Sequence, residues 1–250
     1  MHLAIEIFDN FGLNFVARWA HVLVGITWIG LLYYFNFVQV PAFGEIDAGA
    51  RNQVVDKLAS RALWWFRWAA AATFGFGLLL GLIPLGESGD GIFLQDDYFK
   101  GAAGIAIATG MLLGITMFLN VWLVIWPKQK IAIANARNVL AGGEADPAAA
   151  GAGRAALLAS RQNTIFSFPM LMFMIGTVHF FPSGFDTGSD RGIYWAITAV
   201  IFLAFELSAL GIIGGKGSNL TNWVYENHAR TIGTGLVLTV VWYALWELIF

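Results

Sequence analysis

Five ionisable side chains interrupt long apolar runs in this 250-residue chain: Arg18, His21, Arg67, His179 and Glu206. His228 and Arg230 stand beside a further run. Inside a membrane such groups are costly and face a partner or a cavity, so each marks a candidate site. In the first run, Arg18, His21, Gly25, Trp28, Leu32 and Asn36 recur at spacings of three and four, which places them on one stripe of a helix. In "FPMLMFMIGTVHFFP", Met172, Gly176 and His179 share another face. Two histidines on different helices at similar depth have the chemistry to ligate one metal.

Among metal groups, haem b suits that pair best. It takes two axial ligands from facing helices, apolar and aromatic walls, and small residues where the ring meets backbone. His21 and His179 would supply the ligands, Gly25 and Gly176 the small residues, and Trp28 part of the wall. Arg18, one turn outward from His21, would pair with a propionate. Zinc or copper would want a third clustered ligand, and the sequence offers none. A plainer reading stays open: His21 bridges helices, Arg18 snorkels, and His179 sits in the interfacial belt. His2 lies in a terminal segment and is read as irrelevant.

Two further groups draw on the same list. Glu206, in "AVIFLAFELSALG", is expected to be neutral or paired, because leaving water penalises its charge. A proton relay, a substrate contact and a simple interhelical hydrogen bond are all open to it. Arg67, Asn120, His228 and Arg230 fall near the mouths of three spans and are expected to converge on an anionic ligand or on lipid head groups.

Six elements must hold these residues. Apolar stretches at 14–40, 63–85, 101–126, 164–181, 192–214 and 229–250 are each long enough to cross a bilayer, which takes about 20 residues. With 58% hydrophobic and 12% charged residues, the chain is too poor in charge to cover a soluble surface of this size. The fold class is all-α: a polytopic bundle of about six membrane helices forming a single domain, 1–250. Net charge is −2, which leaves no basic surface for nucleic acid. Glu6 and Asp9 replace the basic cluster that a signal peptide carries before its apolar core. No cysteine is present, which excludes disulfides, thiolate metal sites and attached c-type haem on these residues.

Of the 14 Lys and Arg residues, eleven fall in or beside the first, third and fifth loops, against Arg18, Lys100 and Arg191 on the other side. By the positive-inside rule those three loops are cytoplasmic and both termini lie outside. The long third loop, 127–163, has a small-residue centre, "AGGEADPAAAGAG", between flanks with helical spacing that extend the third and fourth spans. Pro169 is expected to kink the fourth span. Small residues such as Gly77 with Gly81, Gly101 with Gly104, and Gly110 with Gly114 predict close helix packing. Trp19, Trp64, Trp65, Trp68, Trp122, Trp126, Trp242 and Trp246 cluster near span ends and are expected in the interfacial belts.

Several stretches carry a resemblance: "RWAHVLVGITWIGLLYYFNFVQVPA", "ALWWFRWAA", "MFLNVWLVIWPKQK" and "SRQNTIFSFPMLMFMIGTVHF". Together they resemble the membrane domain of the bacterial membrane-bound urate oxidase (urate hydroxylase) family, its urate oxidase N-terminal domain. In that family the membrane domain precedes a C-terminal cytochrome c domain that receives electrons from urate. These 250 residues include no such domain, so a separate periplasmic cytochrome c is the implied acceptor. The resemblance implies a redox protein of the bacterial inner membrane acting on urate or another purine, and it strengthens the haem b reading. It supplies no catalytic residues. Two other classes compete: a cofactor-free accessory subunit of a larger respiratory complex, and a transporter. Against the transporter stands the lack of an internal repeat.

Overall fold

A computed structural model describes residues 6–84, 89–181, 187–188 and 190–250; His2 and the first residues of the second loop lie outside them. Six long helices run through the described residues: α1 (Asn10–Ala42), α2 (Ala48–Leu82), α3 (Ala102–Leu140), α4 (Ala148–His179), α5 (Asp190–Ala209) and α6 (His228–Ile249). Five of them, all but α4, contain a stretch long and apolar enough to cross a membrane. Side-chain caps fix three starts by satisfying orphan N–H groups of the first turn. Asp9 accepts from Gly12 (2.7 Å), Asp47 from Ala50 (2.9 Å) and Asn227 from Ala229 (2.7 Å).

The helices alternate in direction. Gly25 lies near Thr73 and Gly77 near His21, so α1 and α2 are antiparallel. Gly110 and Gly114 meet Met174 and Met170, and Asn120 meets Asn163, which makes α3 and α4 antiparallel as well. Alternation through six helices sets the first, third and fifth loops at one end of the bundle. The flanks of the third loop are helical as expected: α3 runs to Leu140, α4 starts at Ala148, and only a short glycine-containing link joins them.

The helix α4 is the axis of the bundle, packed by α3, α6, α5 and, at one end, α1. Seven consecutive residues, Arg161 to Ser167, are buried, which requires neighbours on every side. The helix passes through Pro169 without ending. A proline there cannot bond the Ile165 carbonyl, and Gly235 of α6 approaches that same oxygen; a Cβ at Gly235 would stand 3.1 Å from it. Trp242 and Trp246 correct the sequence reading. Both are core residues, Trp242 against Phe166 and Trp246 against Phe181, rather than members of an interfacial belt. Trp19, Trp64, Trp65 and Trp68 are exposed, as a belt requires.

The pair α1/α2 touches the rest of the bundle mainly through aromatic side chains. Tyr33 reaches Ser167 (2.8 Å) and stacks near Phe168, Phe74 stacks on Phe118, and Trp68 packs edge-on to Trp122. Three helices contain widened π-helical turns, Tyr34–Gln39, Val55–Ala59 and Asn120–Ile125, all in their halves nearest the first and third loops. Such turns are rare and gather where a side chain is re-aimed. Asn36 and Asn120 both sit in them, and both are buried.

Candidate functional site

The buried polar residues of α4 gather partners from α3, α1 and the segment before α6. Asn120 Nδ2 donates to Asn163 Oδ1 (3.1 Å) and to Glu206 Oε2 (3.3 Å), while Asn163 Nδ2 donates to the Met117 carbonyl (2.9 Å). Beside them, Tyr225 Oη lies 2.6 Å from Gln162 Oε1 and 3.0 Å from the Phe205 carbonyl. One proton cannot serve both oxygens, and Gln162 Nε2 is buried without a partner. Turning the amide resolves the conflict: its NH2 donates to Tyr225, and Tyr225 donates to Phe205. Arg161 donates to the Tyr225 carbonyl, so the segment before α6 is fastened to α4 twice.

Glu206 is the only buried carboxylate among the described residues. Its neighbours are amides and a phenol, a set that can carry a proton without a strong opposing charge to hold it. On the α1 side, Asn36 Nδ2 donates to Ser160 Oγ (2.8 Å) and to the Leu32 carbonyl (2.9 Å), with Oδ1 left unpartnered. Asn163, Gln162, Ser160 and Tyr225 are the members that sequence reasoning passed over. For the three α4 residues the signal was the run "SRQNT" at the mouth of an apolar stretch, which reads as a solvated helical extension until all sides prove to be covered; Tyr225 gave none.

The stripe of α1 exists as a face: Trp28, Leu32 and Asn36 are buried, and Arg18, His21 and Gly25 half-buried. It faces α2 in its first half. His21 turns toward the Thr73 backbone and Gly77, where a Cβ would stand 3.2 Å from its Cε1, and its buried Nδ1 makes no well-formed hydrogen bond. Arg18 donates to Asn14 Oδ1 (3.2 Å). On α4, His179 is exposed at the helix end, and Gly176 is covered by Phe181, whose Cε2 would stand 2.6 Å from an added Cβ. The contacts Tyr33–Ser167 and Asn36–Ser160 set the register between α1 and α4. Continued toward the start of α1, that register brings His21 level with His179. Depth agrees with haem ligation; the helix faces do not, because His21 is aimed at α2 and the cradle at Gly176 is filled. As described, these side chains do not fit haem b between them.

The residues expected to converge on an anion are apart. Asn120 points into the core, Arg67 lies over the Trp126 ring (3.9 Å to the centroid), and Arg230 lies over Trp223 (4.7 Å). His228 is the first residue of α6. Among the described residues, no group of three or more His, Cys, Asp or Glu side chains could hold a metal ion.

The link before α6 is held from outside the membrane-spanning segments. Arg154 grips Glu226 through both terminal nitrogens, one contact being 3.2 Å, and donates from Nε to the Lys216 carbonyl (2.9 Å). The Arg154 hydrogen bond holds the Glu226 carboxyl below its ordinary range, against a smaller opposing effect of burial. A depressed carboxyl stabilises the fold above its unfolded-state value, and that contribution is lost as pH falls through the folded one. Glu226→Gln is therefore expected to cost no more than about 1 kcal/mol at neutral pH, and melting curves of variant and parent should converge in acid. A gap that persists in acid would mean that the carboxylate charge is not what holds the link.

Comparison with known families bears directly on the polar core. The family model described as urate oxidase N-terminal matches residues 91–213. That segment belongs to the urate oxidase N-terminal family. It contains Asn120, Gln162, Asn163, His179 and Glu206, and it excludes His21. The resemblance read from the sequence therefore holds over α3, α4 and α5. No curated protein and no solved structure matches the chain.

Proposed function

We propose that this chain is a membrane redox protein of the urate oxidase N-terminal type, which oxidises urate or a related purine and passes the electrons toward a periplasmic cytochrome c. One observation supports it above others: the matched segment is the one that holds the buried network of Asn120, Asn163, Gln162 and Glu206. Oxidising an N–H heterocycle releases protons along with electrons, and Glu206 is the group in that network able to take one. The charge bias of the loops supports an orientation with both termini, and hence the cytochrome, on the outer face of a bacterial inner membrane.

Membranes containing the protein should consume urate, followed by its absorbance, and reduce added cytochrome c only when both are present. Absence of turnover overturns the reading. Haem b on His21 and His179 would require His21 to leave its place against Gly77 and Phe181 to leave Gly176. Its mark would be a Soret band in the purified protein, lost in both His21→Ala and His179→Ala. A colourless chain that co-purifies with a larger respiratory assembly would instead make it an accessory subunit without cofactor.

A further inference from the structure

A groove of about 480 Å³ opens between α2 and α3, lined by Arg61, Trp64, Arg67, Trp126, Lys130 and Arg137 among others, and no carboxylate lines it. Part of the positive charge is already answered. Asp56, at the groove's edge, binds Arg137 Nε (2.6 Å) and Lys57 (2.7 Å), and Arg61 donates to the Lys57 carbonyl. Arg67 and Lys130 are not answered in this way. Both lie over the Trp126 ring, at 3.9 and 5.9 Å from its centroid, and neither has an ion-pair partner among the described residues. A half-buried guanidinium beside a second cation lacks the anion that would offset its desolvation.

The depth of the groove identifies what that anion is. The 35 residues of α2 and 39 of α3 make helices roughly 52 and 58 Å long at 1.5 Å per residue, well beyond a hydrocarbon core of about 30 Å. Counting about 20 residues from their outer ends, Leu82 and Ala102, reaches Leu63 and Val121. The groove straddles that level, from Arg67, about one turn to its hydrocarbon side on α2, to Trp126 and Lys130, beyond it on α3, so it opens at the boundary with the head groups, where Trp64 and Trp126 suit an interface and the cations suit phosphate. We propose that this groove binds the phosphate head group of an anionic phospholipid, with Arg67 and Lys130 as its ligands and Trp126 as its floor. The site is independent of the polar core and of the redox reading.

Delipidated protein in neutral detergent would be titrated with phosphatidylglycerol, phosphatidylcholine or inorganic phosphate, with bound lipid counted by native mass spectrometry and thermal stability followed in parallel. Phosphatidylglycerol should bind saturably, and its affinity should fall about tenfold in Arg67→Ala and in Lys130→Ala, the loss of one charge-assisted contact. Arg67→Lys should recover part of the loss, and Arg51→Ala, an exposed cation of α2 away from the groove, should match the parent. Lys130 is exposed, so its variant tests the site without threatening the fold. Undiminished binding in Lys130→Ala would overturn the proposal. So would equal binding of phosphatidylcholine, or competition by inorganic phosphate alone, which would make the ligand a soluble phosphate.

Discussion

Glu206→Gln is expected to lower urate-dependent reduction of cytochrome c by roughly a hundredfold or more, the scale of a lost proton-transfer group, while leaving thermal stability near that of the parent. The reason lies in what the amide keeps. Its oxygen can still accept from Asn120 Nδ2, now 3.3 Å from Glu206 Oε2, so the link from α3 to α5 survives. What disappears is the capacity to bind and release a proton. Glu206→Leu removes both functions, and should add a stability loss of about 1 kcal/mol to the same catalytic defect. The two variants separate chemistry from architecture. Parental turnover in Glu206→Gln together with a destabilised Glu206→Leu would show that the carboxyl is a strut between helices and handles no proton.

Much of this architecture is written in hydropathy. The six apolar runs located all six long helices, five of them apolar enough to cross a membrane, because exposed helix faces in lipid must be apolar, and helical spacing extended α3 and α4 beyond their apolar cores. The polar axis escaped that reading. A helix enclosed on all sides has no periodic polar face, so "SRQNT" gives the same signal as a solvated helix end, although Gln162, Asn163 and Thr164 are fully buried. Tryptophan position failed for a related reason. Nothing in the spacing of Trp242 and Trp246 tells a core residue from a belt residue; the difference lies in Phe166 and Phe181, contributed by α4. For His21 and His179 the sequence carried depth, which follows from counting residues, but not azimuth, which depends on the helix that packs alongside. In α1 that helix is α2, because Gly77 leaves room for the imidazole.

Gly104→Ala should be the most destructive single-methyl substitution at the end of the bundle that holds the second and fourth loops. A Cβ at Gly104 would stand 1.8 Å from the Tyr98 carbonyl oxygen, 2.7 Å from its carbon and 2.8 Å from Phe99 Cα. All three are backbone atoms, so no rotamer change relieves the clash. The turn Tyr98–Lys100 folds directly onto the first turn of α3, and it carries a second connection. The Lys100 carbonyl accepts from both the backbone nitrogen (3.1 Å) and the hydroxyl (2.7 Å) of Thr187, in the link between α4 and α5. Displacing the turn therefore loosens two links of the bundle. The expected cost is about 3 kcal/mol or more, the upper end of what overpacking produces, measured as a fall in melting temperature or as loss of folded protein from detergent extracts. Gly30→Ala is the matched control: nothing lies within 4 Å of its added carbon, and the helix gains a better former there. Equal stability of Gly104→Ala and Gly30→Ala would mean that the turn before α3 does not pack as described, and that the close approach at Gly104 is not what joins the second loop to the helices.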